Sequence, residues 1–453
     1  MSTAAQAESN AFILQPSWVI PVEPHCEALP GHSVVVEDDR ITAVLPHQEA
    51  RRQFPDLTRR ELPGRVLLPG LVNAHCHSAM SLLRGLADDL PLMDWLREHV
   101  WPVEQRWMGR EYVTTGSELA VIEYLRGGIT CFNDEYFFPD VTAGVAQRAG
   151  IRCRVGLPVI DLPTVWARDS DECIRRGLEV YEALRVDTMV STAFAPHAPY
   201  TVDDAAFARL ARLAAELDLP IHLHLHETAT EISDSEAQYG VRPLARLQGL
   251  GLPGPGLIAV HMTQLEPSEI ELLAEHGVQV VHCPESNLKF GNGFCPVQRL
   301  LDAGVNVALG TDGAASNNDL DILGEMRTAA LLAKGVSGDA TAVDAAQALR
   351  MATINGARAM GLQDRIGSIE PGKQADLCAI DLSDPETQPL NSILSQLVYA
   401  AGRWQVTDVW VAGKHVVSGR RVTTLEWRQI ADRVSEWRDR LCEAEGDPPA
   451  PVG

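Results

Sequence analysis

The chain has 453 residues, a formal net charge of −23 at pH 7, a pI near 5.0 and nine cysteines. This length exceeds one average domain and suits a (β/α) barrel of about 250 residues with a smaller second domain. The negative charge argues against nucleic acid and anionic membrane surfaces as partners, but it is compatible with a small neutral substrate.

The cysteines and the N-terminus indicate the compartment. The cysteines are scattered from Cys26 to Cys442 without a Cys-x-x-Cys pair, which argues against a disulfide framework or a cysteine zinc site and favours a reducing compartment. The first ten residues lack a basic start, residues 11–14 are too short for a signal core, and no apolar run is long enough to span a membrane. We therefore expect a soluble cytoplasmic protein.

Both ends of the chain contain short β-like runs that are separated by Pro, Gly and Asp-Asp. They cover residues 12–14, 33–37 and 41–45 near the N-terminus, and residues 375–381, 406–411 and 415–417 near the other end. This pattern predicts a small β-sandwich domain built from residues 1–65 and 367–424. Residues 425–443 are predicted to form a surface helix, followed by a frayed tail over 446–453.

Between these ends, apolar runs alternate with stretches rich in Ala, Leu, Glu and Arg, which is typical of βα units. Eight such runs occur, at residues 66–77, 129–133, 152–160, 189–196, 221–227, 257–263, 278–283 and 305–312. Eight parallel strands predict a (β/α)8 TIM barrel over residues 66–366. The active site of such a barrel lies at the C-terminal ends of its strands.

Two histidines close the first of these runs. His75 and His77 are two positions apart, so on a β-strand both side chains point to the same face, where they can share a divalent metal. A core histidine beside a solvent-facing one is the alternative, because so short a match recurs by accident.

The predicted strand ends carry further metal-binding residue types. They are His197 after the fourth strand, His222, His224, His226 and Glu227 at the fifth, His261 at the sixth, His282 at the seventh and Asp312 at the eighth. Several buried imidazoles and a carboxylate are costly to desolvate unless they bind an ion or one another. A polar network is the structural alternative. Periodicity does not choose among the three histidines of the fifth strand.

The wider pattern resembles the amidohydrolase superfamily. The matching residues are Pro69 to Asn73, His75, His77, His224 three positions before Glu227, His261, Gly310 to Gly313, Asn355 to Ala357 and the run from Gly367 to Asp376. Within the superfamily, Ser81 to Gly85 with Trp95, Pro102 and Glu104 are similar to the 5′-methylthioadenosine/S-adenosylhomocysteine deaminases. The chlorotriazine hydrolases share much of this pattern.

The resemblance implies that His75, His77, His224 and Asp312 hold one Zn²⁺ per chain with a water in an open position. Binuclear members bridge two metals with a lysine of the fourth strand, and residues 189–200 contain none. The ion would lower the pKa of its water towards about 7.

The same resemblance implies that His261 and Asp312 share the proton removed from that water, and that Glu227 protonates the substrate ring. Each role has a structural rival: Glu227 as a carboxylate at a helix start, His261 as a hydrogen bonder behind the ligands, and Asp312 as the start of a turn.

The resemblance also implies substrate contacts. It places Glu104 at the ribose hydroxyls, Trp95 in the pocket wall and His197 at the purine edge, with His282 in a loop of the seventh strand. The alternatives are a solvated glutamate, and histidines that buttress the ligands. Arg152 and Arg168 are candidate partners of a homocysteine carboxylate, because guanidinium binds carboxylates bidentately.

The expected function is zinc-dependent hydrolytic deamination of a 5′-thio-substituted adenosine to the inosine analogue and ammonia. The expected enzyme acts on a small nucleoside as a homo-oligomer. One alternative is hydrolysis or deamination of a triazine or another nucleobase, and an alternative of another class is a metal-free scaffold.

Overall fold

A computed structural model describes residues 11–445, with side chains through residue 442. The predicted tail over 446–453 lies outside the described residues. Two sheets organise the chain: a nine-stranded mixed sheet made from both chain ends, and an eight-stranded parallel sheet between them. Both parts of the predicted fold, a barrel and a β-domain shared by the two ends, are confirmed.

The terminal sheet joins strands from the first 70 residues to strands that follow residue 376. Their order is β17-β16-β15-β14-β5-β1-β3-β4, with β2 paired to β1. Its strands are β1 (Ala11–Val19), β2 (Leu29–Pro30), β3 (His32–Glu37), β4 (Arg40–Pro46), β5 (Thr58–Pro69), β14 (Leu377–Asp381), β15 (Val406–Val411), β16 (Lys414–Ser418) and β17 (Arg421–Val422).

The barrel strands follow chain order, each parallel to the next, and a bridge between Cys76 and Asp312 joins the last strand to the first. They are β6 (Leu71–Cys76), β7 (Ile129–Asp134), β8 (Arg152–Val159), β9 (Val190–Pro196), β10 (Ile221–Leu225), β11 (Leu257–His261), β12 (Gln279–His282) and β13 (Asn306–Leu309). Each overlaps one predicted run. Their side chains are almost all buried, as expected for parallel strands covered on both faces.

The first predicted barrel strand is divided between the two sheets. Residues 66–69 end β5 and pair with β14, whereas β6 begins at Leu71 and pairs with β7. Gly70 makes the junction possible, because a Cβ there would lie 2.0 Å from Oγ1 of Thr130. The apolar run crosses this boundary without a change of polarity, so hydrophobicity alone does not mark it.

Helices connect the barrel strands and also occur in both terminal segments. They are α1 (His47–Gln53), α2 (Leu92–Trp95), α3 (Trp101–Trp107), α4 (Arg110–Arg126), α5 (Pro139–Ala149), α6 (Ser170–Leu184), α7 (Asp204–Leu217), α8 (Ala229–Tyr239), α9 (Pro243–Gly249), α10 (Pro267–His276), α11 (Pro284–Phe290), α12 (Val297–Asp302), α13 (Ala314–Asn317), α14 (Ile322–Ser337), α15 (Ala345–Met351), α16 (Ile354–Ala359), α17 (Ile393–Tyr399) and α18 (Trp427–Glu445).

Shorter helical turns cover Ser78–Leu83, Leu96–Val100, Pro385–Thr387 and Arg403–Gln405. The predicted C-terminal helix is confirmed as α18, which packs Trp437 and Leu441 against the region around α3 and α4. Within residues 11–445, every helix falls short of the length or the apolar character that a membrane span requires.

Candidate active site

Three histidine side chains converge where strands β6 and β10 end. His75 lies in β6, His77 follows that strand directly, and His224 lies in β10. Their ring nitrogens form a group whose atoms all lie within 4.8 Å of one another, and Asp312 belongs to an overlapping group with His75. Oδ1 of Asp312 lies 3.2 Å from Nε2 of His77 and 3.5 Å from Nε2 of His75.

Backbone carbonyls fix the orientation of two of these rings. Nδ1 of His77 donates to the carbonyl of Glu135 at 2.5 Å, and Nδ1 of His224 donates to the carbonyl of His197 at 2.7 Å. A carbonyl only accepts, so the hydrogen of each neutral ring sits on Nδ1. When both rings are neutral, as metal ligation requires, the lone pairs on Nε2 of His77 and His224 face each other across 3.3 Å. Two facing acceptors are the arrangement that a cation satisfies.

His75 completes the same pattern. Its Nδ1 lies 2.9 Å from Nε2 of His222, and its Nε2 is buried without a hydrogen-bond partner. Nitrogen and carboxylate donors of this kind are the ligands that zinc prefers, and hydrogen bonds to the remote ring nitrogens hold such ligands in place. The residues present therefore fit a zinc ion.

The charges of the cluster fit the same ion. Burial lowers the pKa of His75 to about 3 and lowers the pKa of His224 well below its ordinary value, so both rings are neutral. Burial alone would raise the pKa of Asp312, but its close contacts with Nε2 of His75 and of His77 lower that pKa well below the usual range. Burial would likewise lower the pKa of His77, yet the bond to Asp312 and its charge raise it to about 10. Asp312 thus attracts positive charge to this point.

The structure separates the three histidines of the fifth strand. His224 joins His75 and His77, whereas His222 lies behind His75. β10 ends at Leu225, so His226 leaves the strand face, and its Nε2 accepts a hydrogen bond from the backbone N–H of Leu244.

Asp312 is held by its own turn and by the loop after β12. Ser286 donates its hydroxyl hydrogen to Oδ2 of Asp312 at 2.6 Å, and the N–H of Gly313 donates to Oδ1 at 2.8 Å. Gly310 lets this turn approach β6, because a Cβ there would lie 2.9 Å from Cβ and from the carbonyl oxygen of His75.

Glu227 and His261 face each other beside this group of histidines and Asp312. Nε2 of His261 lies 3.8 Å from Oε1 of Glu227, and that oxygen accepts a hydrogen bond of 3.0 Å from the side-chain amide of Asn292. Nδ1 of His261 lies 2.9 Å from Oδ1 of Asn287, which orients the ring. Burial raises the pKa of Glu227. A buried carboxyl of raised pKa suits a general acid.

A second carboxyl faces the same cavity from α3. Oε1 of Glu104 accepts a hydrogen bond of 2.7 Å from the hydroxyl of Tyr136, and burial raises the pKa of Glu104 to about 7. Nearby, the rings of Trp95 and Phe290 pack with centroids 5.0 Å apart.

These side chains line one cavity of about 440 Å³, a size typical of small-molecule sites. Its wall includes His77, His224, Glu227, His261, Asp312, Glu104, Trp95 and His197. His75 is outside the wall and fully buried, in the same group of side chains as His77 and His224. His197 also fixes the cavity floor, because its carbonyl is the one that orients His224.

Three predicted substrate contacts are not brought to the cavity wall. Arg152 begins β8, at the opposite end of the barrel from the site, where it forms a buried ion pair with Asp376. The side chain of Arg168 is 83% exposed and pairs with Glu172. His282 is buried beside His261 and lies outside the wall.

Sequence reasoning missed four residues with contacts here: Tyr136, Asn292, Phe290 and Glu135. Tyr136 and Glu135 directly follow β7, so the rule that places functional residues after barrel strands points to them. Phe290 is the last residue of α11, and Asn292 lies two residues beyond it. Neither is near a strand end, and no sequence signal marks them.

Comparison with known proteins supplies an independent view. A model described as Amidohydrolase family matches residues 66–416. A 5-methylthioadenosine/S-adenosylhomocysteine deaminase of Teredinibacter turnerae is 48% identical over 430 residues, covering 95% of this chain and 97% of that protein.

Solved structures agree with this match. An adenosine deaminase from Xanthomonas campestris with bound zinc has a TM-score of 0.93 and 55% identity, covering 95% of this chain and 98% of that one. An atrazine chlorohydrolase from Arthrobacter aurescens, complexed with zinc, has a TM-score of 0.88 at 23% identity over 94% of this chain and 99% of that one, a likeness of fold.

Proposed function

Because this chain belongs to the amidohydrolase family, we propose that it is a zinc-dependent deaminase of adenosines that carry a 5′-thioether. The products are the inosine analogue and ammonia. The observation that carries this proposal is the meeting of three histidine Nε2 atoms and one carboxylate at the floor of a nucleoside-sized cavity. The deaminases to which the chain is similar support the choice of substrate.

His75, His77, His224 and Asp312 are the residues that would hold the zinc ion. When bound, zinc acts as a Lewis acid that lowers the pKa of a coordinated water and makes hydroxide available near neutral pH. One ion per chain is proposed, because β9 carries no lysine that could bridge two metals.

Glu227 is proposed as the general acid that protonates the purine nitrogen next to the carbon that is attacked. Its raised pKa keeps a proton available, and the hydrogen bond from Asn292 holds one oxygen while leaving the other free. Protonation lets the ring accept electrons as the carbon–oxygen bond forms.

His261 and Asp312 are proposed to take the proton that the attacking water gives up. His261 is oriented for this by Asn287, so that its Nε2 faces the cavity. The carbon–nitrogen bond to the amino group then breaks, and the amino group leaves as ammonia after receiving a proton. One water is consumed for each ammonia released.

Glu104 is proposed to bind the ribose, since a carboxylate can accept one hydrogen bond from each of two adjacent hydroxyls. His197 is proposed at the purine edge and Trp95 in the wall beside it, and both line the cavity. His282 is proposed to buttress His261 from behind.

We further propose that the enzyme acts in the cytoplasm on free nucleosides and assembles as a homo-oligomer. The net charge of −23 supports a preference for small substrates over nucleic acid. The exposed side chains of Trp404 and Trp427 offer apolar surface to a second copy. Sedimentation of the purified chain measures the assembly state.

A substrate panel tests the proposed function. The zinc-loaded protein is incubated with 5′-methylthioadenosine, adenosine, guanine and atrazine, and released ammonia or chloride is measured. We expect deamination of the adenosines. Turnover of atrazine alone would favour the triazine reading, and a chain that binds no metal and turns over nothing would favour the scaffold.

A further inference from the structure

The cavity has a second, apolar part that the reacting groups do not use. We call it the apolar wall: Leu92, Trp95, Leu96, Val100 and Trp101, the apolar side chains of the loop over residues 160–165, and Phe290. The segment 92–101 lies before α4, and the loop follows β8, so the wall is built by connections and not by the barrel strands. Within the wall, Trp95 packs on Phe290, and Leu162 and Val165 remain partly open to solvent.

The charged side chains of the cavity are all acids or histidines. Its described lining includes the carboxyl groups of Glu104, Glu135, Glu227 and Asp312 and contains no lysine or arginine. An anionic group that entered the cavity would lose its water and meet carboxylates without meeting a cation.

The two arginines that the sequence offers to an anionic substrate are engaged elsewhere. Arg152 donates to both oxygens of Asp376, at 2.6 and 3.0 Å, and only 3% of its side chain is exposed. Arg168 donates to Glu172 from both its backbone and its side chain. Neither lines the cavity.

We propose that the apolar wall makes this enzyme selective for adenosines whose 5′-thioether tail is uncharged, and that it discriminates against the zwitterionic homocysteine tail. This inference rests on the proposed function. A thioether and an alkyl chain gain dispersion and sulfur–aromatic contacts against Trp95 and Phe290. An amino-acid tail would bury its carboxylate without a partner, which is costly.

Three substrates separate charge from length. They are 5′-methylthioadenosine, 5′-n-butylthioadenosine and S-adenosylhomocysteine, the last two of which extend four carbons beyond sulfur. We expect kcat/KM for the butyl compound within about threefold of the methyl compound, because added methylenes meet apolar surface. We expect S-adenosylhomocysteine to fall about 10- to 100-fold below both, mainly through KM.

Leu162→Arg tests the missing cation directly, with Leu162→Met as the matched control of similar size. The arginine variant should raise kcat/KM for S-adenosylhomocysteine relative to 5′-methylthioadenosine by about tenfold, since guanidinium pairs bidentately with a carboxylate. Leu162→Met should leave the ratio near that of the unmodified enzyme. If Leu162→Arg does not fold, Val165→Arg with Val165→Met repeats the test in the same loop.

The outcomes distinguish this inference from the proposed function. If no adenosine is deaminated, the proposed function fails and this inference falls with it. If 5′-methylthioadenosine is deaminated but S-adenosylhomocysteine is used within about threefold as well, the selectivity alone is overturned. A butyl compound as poor as S-adenosylhomocysteine would also overturn it, because the wall would then be selecting by length.

Discussion

The proposed metal-ligand cluster, which consists of His75, His77, His224 and Asp312, and the apolar wall border one cavity but are built in different ways. The proposed ligands lie at strand ends, and hydrogen bonds orient them: Nδ1 of His77 donates to the carbonyl of Glu135, and the N–H of Gly313 donates to Asp312. The apolar wall stands on short helices and a loop, and its helical residues pack together in one apolar cluster. On the proposed roles, the ends of the barrel strands position the reacting groups, while substrate selectivity depends on connections whose sequence can change without disturbing the barrel.

Removing the metal should give the largest effect, since it disables the cluster and leaves the apolar wall intact. We expect a chelator to abolish deamination and one equivalent of zinc per chain to restore it, with elemental analysis as the measurement. Circular dichroism before and after chelation serves as the control for folding. Two tightly held metals per chain would contradict the single site.

Glu227→Gln should give the next largest effect because it removes the proton donor and keeps the shape. We expect kcat to fall by about 100-fold or more, with zinc content and thermal unfolding nearly unchanged. The matched control is Glu236→Gln, which alters an exposed glutamate on α8, the helix that begins two residues after Glu227. Near-normal turnover by Glu227→Gln would remove Glu227 from the mechanism.

The difference between residues at strand ends and residues on connections also explains what the sequence could predict. His75, His77, His224 and Asp312 lie at or just beyond the ends of apolar runs, so the period of a strand and the geometry of a barrel bring them together. The eight runs themselves predict the strands because parallel strands are buried on both faces.

The remaining contacts depend on how connections fold over the barrel. Arg152 sits at the start of a strand, where a parallel barrel places it far from the site, and the sequence does not reveal its partner Asp376, 224 positions away. Phe290 lines the cavity from the end of α11, and Asn292, two residues further on, donates a hydrogen bond to Glu227. Such long-range packing leaves no local pattern in the sequence.

Glu104 combines features of the metal-ligand cluster and the apolar wall. It lies on α3, a short helix like those of the wall, yet it is proposed to bind the ribose. Hydrogen bonds to a charged acceptor contribute about 1.5–3 kcal/mol each, so the enzyme should prefer ribonucleosides to 2′-deoxyribonucleosides by about tenfold to a hundredfold in kcat/KM. Glu104→Ala should lose most of that preference. Equal kcat/KM values of the unmodified enzyme for ribonucleosides and 2′-deoxyribonucleosides would exclude Glu104 as the residue that binds the ribose.

The ribose preference should also depend on pH. Burial raises the pKa of Glu104 to about 7, against the bond from Tyr136 and the charge of His77, which lower it. The charged form, which accepts from both hydroxyls, therefore forms as the pH rises through about 7. We expect the preference for ribonucleosides to grow between pH 6 and pH 8, and Glu104→Gln should show no such growth. A preference that falls over this range would contradict the role of the carboxylate.

The smallest effects on substrate choice should come from Arg152 and Arg168, which lie outside both regions. Arg152→Met leaves Asp376 buried without its partner, so we expect the free energy of unfolding to fall by about 3–5 kcal/mol. Adding Asp376→Leu should recover much of that loss, because an apolar pair replaces a buried ion pair. In Arg152→Met and in the double variant, the ratio of kcat/KM for S-adenosylhomocysteine to that for 5′-methylthioadenosine should equal that of the unmodified enzyme.

Arg168→Ala is the matched case at the surface, where the guanidinium is 83% exposed and its partner Glu172 also pairs with Arg176. Exposed ion pairs contribute little to stability, so thermal unfolding should be nearly unchanged. The substrate ratio should change by less than about twofold, since water screens this charge and the cavity lies elsewhere. A selective loss of S-adenosylhomocysteine turnover in Arg168→Ala would mean that the loop after β8 folds inwards when substrate binds and brings this arginine to the tail. The apolar wall would then have a cation in the working enzyme, and selectivity would belong to a mobile loop instead of a fixed surface.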